Sequence, residues 1–193
     1  MKFFILDCNE PLSVNSEAMM EIHNTFRVGG IRLWSSGKGH DKPVPTPIEI
    51  PFDTFREYSG APIEFLDVGI PIMSLRMANA LLDAGVNNIE FYDASLVNKQ
   101  SGKTFHYKAF NIIGLVSAAD LKRSAWHSLD GDVQHTVSFE RLILDESLSE
   151  RLDIFRLAEN VKAIIVSERI KHILLSKGIN TLKFISPEQW TMV

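Results

Sequence analysis

The chain has 193 residues, 45% hydrophobic and 23% charged, with a net charge of −4, the balance of an ordinary globular protein long enough to bury a core. That charge excludes the basic field that attracts nucleic acid, and the single cysteine, Cys8, excludes an intramolecular disulfide and fits a reducing compartment. The run Phe3 to Leu6 is broken by Asp7 too early for a signal peptide, and no run approaches the roughly 20 apolar residues of a membrane helix, so a cytoplasmic protein is expected.

Phe3 to Leu6 reads as a first strand. Ala18, Met19, Ile22 and Phe26 suggest a helix from about Ser16, closed by Gly29-Gly30, with a short strand at Ile31 to Trp34. Ser35 to Pro51 holds two glycines and four prolines and reads as an extended surface loop. Its SSGKGH start is glycine-rich with a lysine, but lacks phosphate-loop spacing and a helix behind it. A helical turn is expected around Phe52, Phe55 and Tyr58.

Ser74 to Phe91 (SLRMANALLDAGVNNIEF) combines a serine able to cap a helix, apolar residues at helical spacing and a glycine stop, followed by a strand. Glu90 to Val97 and Lys103 to Ile113 flank a polar, glycine-bearing turn, which predicts a hairpin. Ala118 to Trp126 is expected to be helical. Asp130-Gly131-Asp132 marks a turn, and Val137 to Leu144 and Ile154 to Leu157 read as strands.

The chain closes with AIIVSERIKHILLSKGINTLKFI (163–185), the same strand, capped helix, glycine stop and strand. A gapless shift of 93 positions lays Ser167–Phe184 over Ser74–Phe91, with seven of 18 pairs identical: the serine, an arginine two residues on, two leucines, the glycine, an asparagine and the final phenylalanine. Unrelated sequence would match at about one position. The unit therefore occurs twice, at about 71–92 and 164–185. Arg76 and Arg169 stand at helix starts, where the dipole disfavours a cation, so each is expected to have an acidic partner within the fold. Strands outnumber helices without alternating with them, which favours an α+β fold with a mixed or antiparallel sheet. A single domain over 1–193 is expected, with 1–60 a candidate N-terminal subregion before a 61–193 core.

No hydrolase, kinase, transferase or dinucleotide motif is present, and no catalytic residue, metal site or cofactor is assigned. Cys8 cannot be paired with a base from spacing alone. His127, Asp130, Asp132 and His135 could gather a divalent ion, which leaves a small metal-dependent hydrolase as the alternative, although the spacing matches no standard closed site. Candidate partner-binding residues are Trp34, beside the proline-rich loop, and Asp145, Glu146, Glu150 and Asp153 in the densest acidic stretch, a patch suited to a basic partner.

Four phrases in order, PIMSLRMANALLDAGVNNIEFY, FHYKAFNII, LILDES with IFRL, and VSERIKHILLSKGINTLKF, resemble a bacterial immunity-protein family linked to polymorphic toxin systems. Asp120 and Ser124 fall at that family's D-x-x-x-S. The likeness covers about 62–189, and the first 60 residues fit only through a tryptophan and a proline-rich loop. Asn180-Thr181 stands where many relatives have Thr-Gly. The resemblance implies a non-catalytic protein that binds and occludes a cognate toxin encoded nearby. It supplies no catalytic residue, and no nucleic-acid or membrane partner is expected.

Overall fold

The computed structural model describes residues 2–7, 20–22, 34–54, 63–128, 131–133, 137–149 and 151–191. In chain order the strands are β1 (Phe3–Asp7), β2 (Met20–Ile22), β3 (Ile48–Thr54), β4 (Phe65–Leu66), β5 (Ile72–Ser74), β6 (Ile89–Asn98), β7 (Thr104–Ile112), β8 (Leu115–Val116), β9 (Ala125–His127), β10 (Ser138–Arg141), β11 (Ile154–Leu157), β12 (Ile164–Ser167) and β13 (Lys183–Ile185). Helix α1 (Leu75–Asp83) follows β5, and helix α2 (Glu168–Ser176) follows β12. The fold is α+β with mixed and antiparallel sheets.

Both copies of the repeated unit form as expected. Ser74 and Ser167 cap their helices, their hydroxyls accepting from the amides of Met77 (3.1 Å) and Ile170 (3.3 Å). Gly85 and Gly178 stop them at φ of +81° and +76°, a region where a side chain is strained. The strands around each helix also correspond. One sheet runs β2-β3-β6-β7-β5-β4 and the other β13-β1-β12-β11-β8. Superposing β5 on β12 and β6 on β13 aligns the antiparallel run β4-β5-β7-β6 with β11-β12-β1-β13. The place that β7 fills in the first sheet is filled in the second by β1, from the far end of the chain.

Burial explains the unbroken apolar runs. Phe4 and Leu6 of β1 face the cluster around both helices, while Phe3 and Ile5 face a second cluster with Phe139 and Phe155. Strands covered on both faces need no polar alternation. The helix cluster holds Met77, Leu81, Ile170 and Leu174 with Phe65, Phe110 and Val166. A third cluster, with Ile48, Phe52, Ile72 and Leu96, lies on the opposite face of the first sheet.

Each helix start is held by an acidic residue on a neighbouring segment. Glu64 takes the Ser74 hydroxyl and the Arg76 guanidinium, and its carbonyl accepts the Ser74 amide at 2.8 Å. Asp153 does the same for Ser167 and Arg169, again with a 2.8 Å backbone bond. The expected acidic partners of the two arginines are thus Glu64 and Asp153. Arg169 also donates to the carbonyl of Ala84, the C-cap of α1, at 2.9 Å. Arg76 Nη1 reaches to within 3.9 Å of the position a Cβ would take on Gly178, past the end of α2. The helices therefore lie antiparallel, each arginine near the other's C-terminal end.

Three expectations are corrected. Ala118 to Trp126 is not a helix but a turn leading into β9: Asp120 Oδ1 accepts the amides of Lys122 and Arg123, and Ser124 bonds Ile143 in both directions. The helical turn expected around Phe52 is instead β3, paired in parallel with β6 from Ile48↔Ala94 to Phe52↔Asn98; Phe55 and Tyr58 lie outside the described residues. Within the helix expected from Ser16, Met20–Ile22 is a strand on β3, and the rest of that span, like Ile31–Leu33, lies outside the described residues. The β6–β7 hairpin forms as expected, with Asn98 Oδ1 accepting the amides of Gln100 and Ser101.

Two outcomes follow for the caps. Ser167→Ala is expected to cost about 1–2 kcal/mol in urea unfolding, because it removes both the cap and a partner of Asp153. Burial raises the Asp153 carboxyl, but hydrogen bonds from Arg169 and Ser167 and the arginine's charge outweigh it, leaving the group below the usual carboxylate range. Its stabilising contribution is present above the unfolded value and lost as pH falls through the lowered one. Stability of the wild type should therefore drop below about pH 4, and Asp153→Asn should flatten that part of the profile.

Candidate functional site

Between the two sheets lies a cleft of about 570 Å³, lined by Ile5, Leu6, Phe65, Val68, Trp190 and Arg156, with Asp7 and Lys162 also on its wall. Arg156, in the middle of β11, is only 2% exposed, and a buried charge of that kind survives only when fully paired. Asp67, between β4 and β5, supplies the pairing: Nη1 to Oδ2 is 2.8 Å and Nη2 to Oδ1 is 2.7 Å, with Nη1 also donating to the Val161 carbonyl at 2.8 Å. This two-pronged pair fastens the second sheet to the first. Asn88 makes a second fastening, donating to the carbonyls of Ile113 (3.0 Å) and Ile154 (2.8 Å). With Nη1 and Nη2 committed to Asp67 and Val161, and only the buried Nε without a partner, the Arg156 guanidinium is placed to hold the halves together.

The residues singled out from sequence are dispersed. Trp34 is 2% exposed and sits edge-on to His40 (4.6 Å between centroids) and Tyr92 (5.6 Å). The Tyr92 hydroxyl donates to Glu90 at 2.8 Å, and burial, that bond and the Glu90 charge push its pKa up to about 12. Asp145 is exposed and caps a 3-10 turn, Glu146–Leu148; the Ser147 hydroxyl and amide hold its carboxyl below the usual range. Glu146 is exposed, Glu150 lies outside the described residues, and Asp153 is bound to Arg169 and Ser167. His127 and Asp132 are exposed, whereas Asp130, His135 and Cys8 lie outside the described residues. No group of three or more His, Cys, Asp or Glu side chains gathers among the described residues. The SSGKGH segment folds back on the first sheet, with Gly37 accepting from Gly114 (3.1 Å) and Lys38 from Asn111 (2.7 Å) through their carbonyls.

Comparison with family models matches residues 2–188 to the immunity protein family Imm11. The chain belongs to this family. Comparison with curated proteins gives no match. The Imm11 match begins before β1 and ends within the last 3-10 turn (Pro187–Gln189), so it takes in every strand of both sheets, including the first 60 residues that resembled the family only loosely. No helix among the described residues is long and apolar enough to cross a membrane.

Sequence reasoning missed Arg156, Asp67, Glu64 and Asn88. One signal was available: Arg156 interrupts the apolar IFRL run, and an arginine inside a fully buried strand requires a carboxylate partner. The distant partner Asp67 carries no sequence mark. Asp67→Ala should leave Arg156 charged and unpaired, costing about 3–5 kcal/mol in urea unfolding, and Asp67→Ala with Arg156→Met should recover much of that loss.

Proposed function

We propose that this chain is a non-catalytic immunity protein that binds a cognate bacterial toxin, encoded nearby, and neutralises it by occlusion in the cytoplasm of the producing cell. The observation that carries this reading is the Imm11 match over residues 2–188. The geometry supports it. Two sheets stapled by Arg156–Asp67 and two helices locked by paired caps make a preorganised body, and binding by such a body avoids the cost of ordering it. Blocking an enzyme needs an interface of about 1,600 Å² in total, with a few aromatic or arginine anchors. Of the acidic candidates, Asp145 and Glu146 are exposed and belong to the proposed contact, while Asp153 is engaged by Ser167 and Arg169 and Trp34 is buried against His40 and Tyr92.

Co-expression with the toxin domain encoded beside this gene is expected to restore growth to a host that the toxin alone arrests, and the two proteins should co-elute. Unrelieved arrest, or purified protein that retains stoichiometric zinc and hydrolyses a substrate, would replace this reading with the hydrolase centred on His127 to His135.

A further inference from the structure

Strands β9 and β10 form a two-stranded ribbon apart from the main sheets, paired Ser138↔His127, Phe139↔Trp126 and Arg141↔Ala125 with an irregularity before Arg141. Its base is rigid, because Phe139 is fully buried and packs on Trp190 at 6.4 Å between centroids. Across the ladder from Phe139 stands Trp126, 36% exposed, with the indole N–H held by the Leu121 carbonyl at 2.9 Å. Lys122, which follows the Leu121 that holds the indole, and Arg141, which pairs with Ala125, line a hollow of about 440 Å³ together with Arg123, Ile143 and Glu188. Three cations thus line it against one carboxylate, on a protein whose net charge is −4.

Those cations are incompletely used. Among the described residues neither Lys122 nor Arg141 has a carboxylate within ion-pair distance, and Arg123, its side chain 71% exposed, reaches Asp120 only at 3.8 Å. Asp120 meanwhile gives its other oxygen to the amides of Lys122 and Arg123. Arg141 is held in place by donating to the Arg123 carbonyl at 3.1 Å, so one guanidinium is oriented before anything binds. Tryptophan and arginine are both enriched among the residues that carry most of the energy of protein interfaces.

We infer that the Lys122–Arg123–Arg141 hollow and Trp126 form the anchor point of the toxin interface and receive an acidic segment of the toxin, a carboxylate side chain entering the hollow while an apolar group covers the indole. This rests on the immunity reading above and adds to it the chemistry of the contacted surface. A protein segment fits better than nucleic acid: three cations around one hollow do not make the extended basic stripe that tracks a phosphate backbone. The Asp145 amide donates to the Ala118 carbonyl at 2.8 Å and the Asp120 amide to the Ile143 carbonyl at 2.8 Å, on either side of the Ala119↔Leu144 bridge, so the acidic turn adjoins the turn that carries Lys122 and Arg123. A partner with charges of both signs would be held there in a single register.

The test measures affinity for the purified toxin domain encoded beside this gene by calorimetry, together with binding to a 20-base-pair DNA duplex. Arg123→Glu with Arg141→Glu is expected to weaken toxin binding about 100-fold or more and to reduce its salt dependence. Trp126→Ala should weaken it about 10- to 100-fold. Lys122→Glu with Arg123→Glu serves as a second charge variant that leaves the Arg141 hydrogen bond intact, and each variant is checked for folding by circular dichroism and thermal melting. Lys99→Glu with Lys103→Glu, the same charge change on the β6–β7 turn, should stay within about threefold of wild type. Tight wild-type binding that none of the ribbon variants alters overturns the anchor assignment alone. Failure of the wild type to bind overturns the immunity reading and this assignment with it. Duplex binding that the variants abolish while toxin affinity holds also overturns the assignment.

Discussion

The caps at Ser74 and Ser167 are the constraint on which the arrangement of the halves depends. A helix start leaves several amides without partners and carries a positive partial charge, so an arginine two residues in is an electrostatic liability. Here it is offset by a carboxylate that binds both the cap hydroxyl and the guanidinium, Glu64 in one copy and Asp153 in the other. The carboxylate also ties the helix to the segment that leads into the adjacent strand. Because Arg169 goes on to meet the α1 C-cap, the same group that starts one helix steadies the end of its neighbour. Charge placement at the four helix ends thus selects the antiparallel pairing, and the shared core of Met77, Leu81, Ile170 and Leu174 supplies the burial that stabilises it.

The Arg156–Asp67 pair acts on a different scale. Burying a guanidinium is costly, and hydrophobic residues of similar volume could replace such a pair without loss of stability. Its value here is geometric. Two parallel hydrogen bonds with fixed directions connect a strand of one sheet to the connection between two strands of the other. A purely apolar contact would permit sliding. On the proposed reading, in which the chain presents a surface to a toxin, a fixed relation between its halves matters more than flexibility.

Local patterns made much of the fold legible. Phe3 to Leu6 and Ile164 to Val166 are apolar runs, and Ile154 to Leu157 is apolar but for Arg156, because both faces of their sheet are covered, and the repeat was visible because cap, inner leucine and glycine each have a local physical reason. The failures lie where a remote partner decides. Ala118, Leu121, Ala125 and Trp126 have helical spacing, yet Ser124 is bound by Ile143 and Asp120 folds its own turn, side-chain bonds that compete with helix formation. Ser35 to Pro51 reads as a loop to its end because of its prolines, yet Ile48 to Pro51 belongs to β3 and pairs in parallel with β6, a remote partner. Site residues follow the same division. The exposure of Asp145 and Glu146 could be anticipated from composition, whereas the diversion of Asp153 to Arg169 and the meeting of Arg123 with Arg141 depend on strand register.

The position of β1 has a consequence for how the molecule is made. This strand precedes the other described strands in the chain, yet its neighbours on both sides, β12 and β13, arrive only with residues 164–185. The first sheet draws its pairing strands from residues 20 to 112 and can assemble while synthesis continues. Phe3 to Leu6, in contrast, must wait as an unpaired apolar ribbon until residues 164–185 have been made. Closure of the second sheet is thus a late step, and a nascent chain cut short before residue 164 would carry a sticky open edge where β12 should pair.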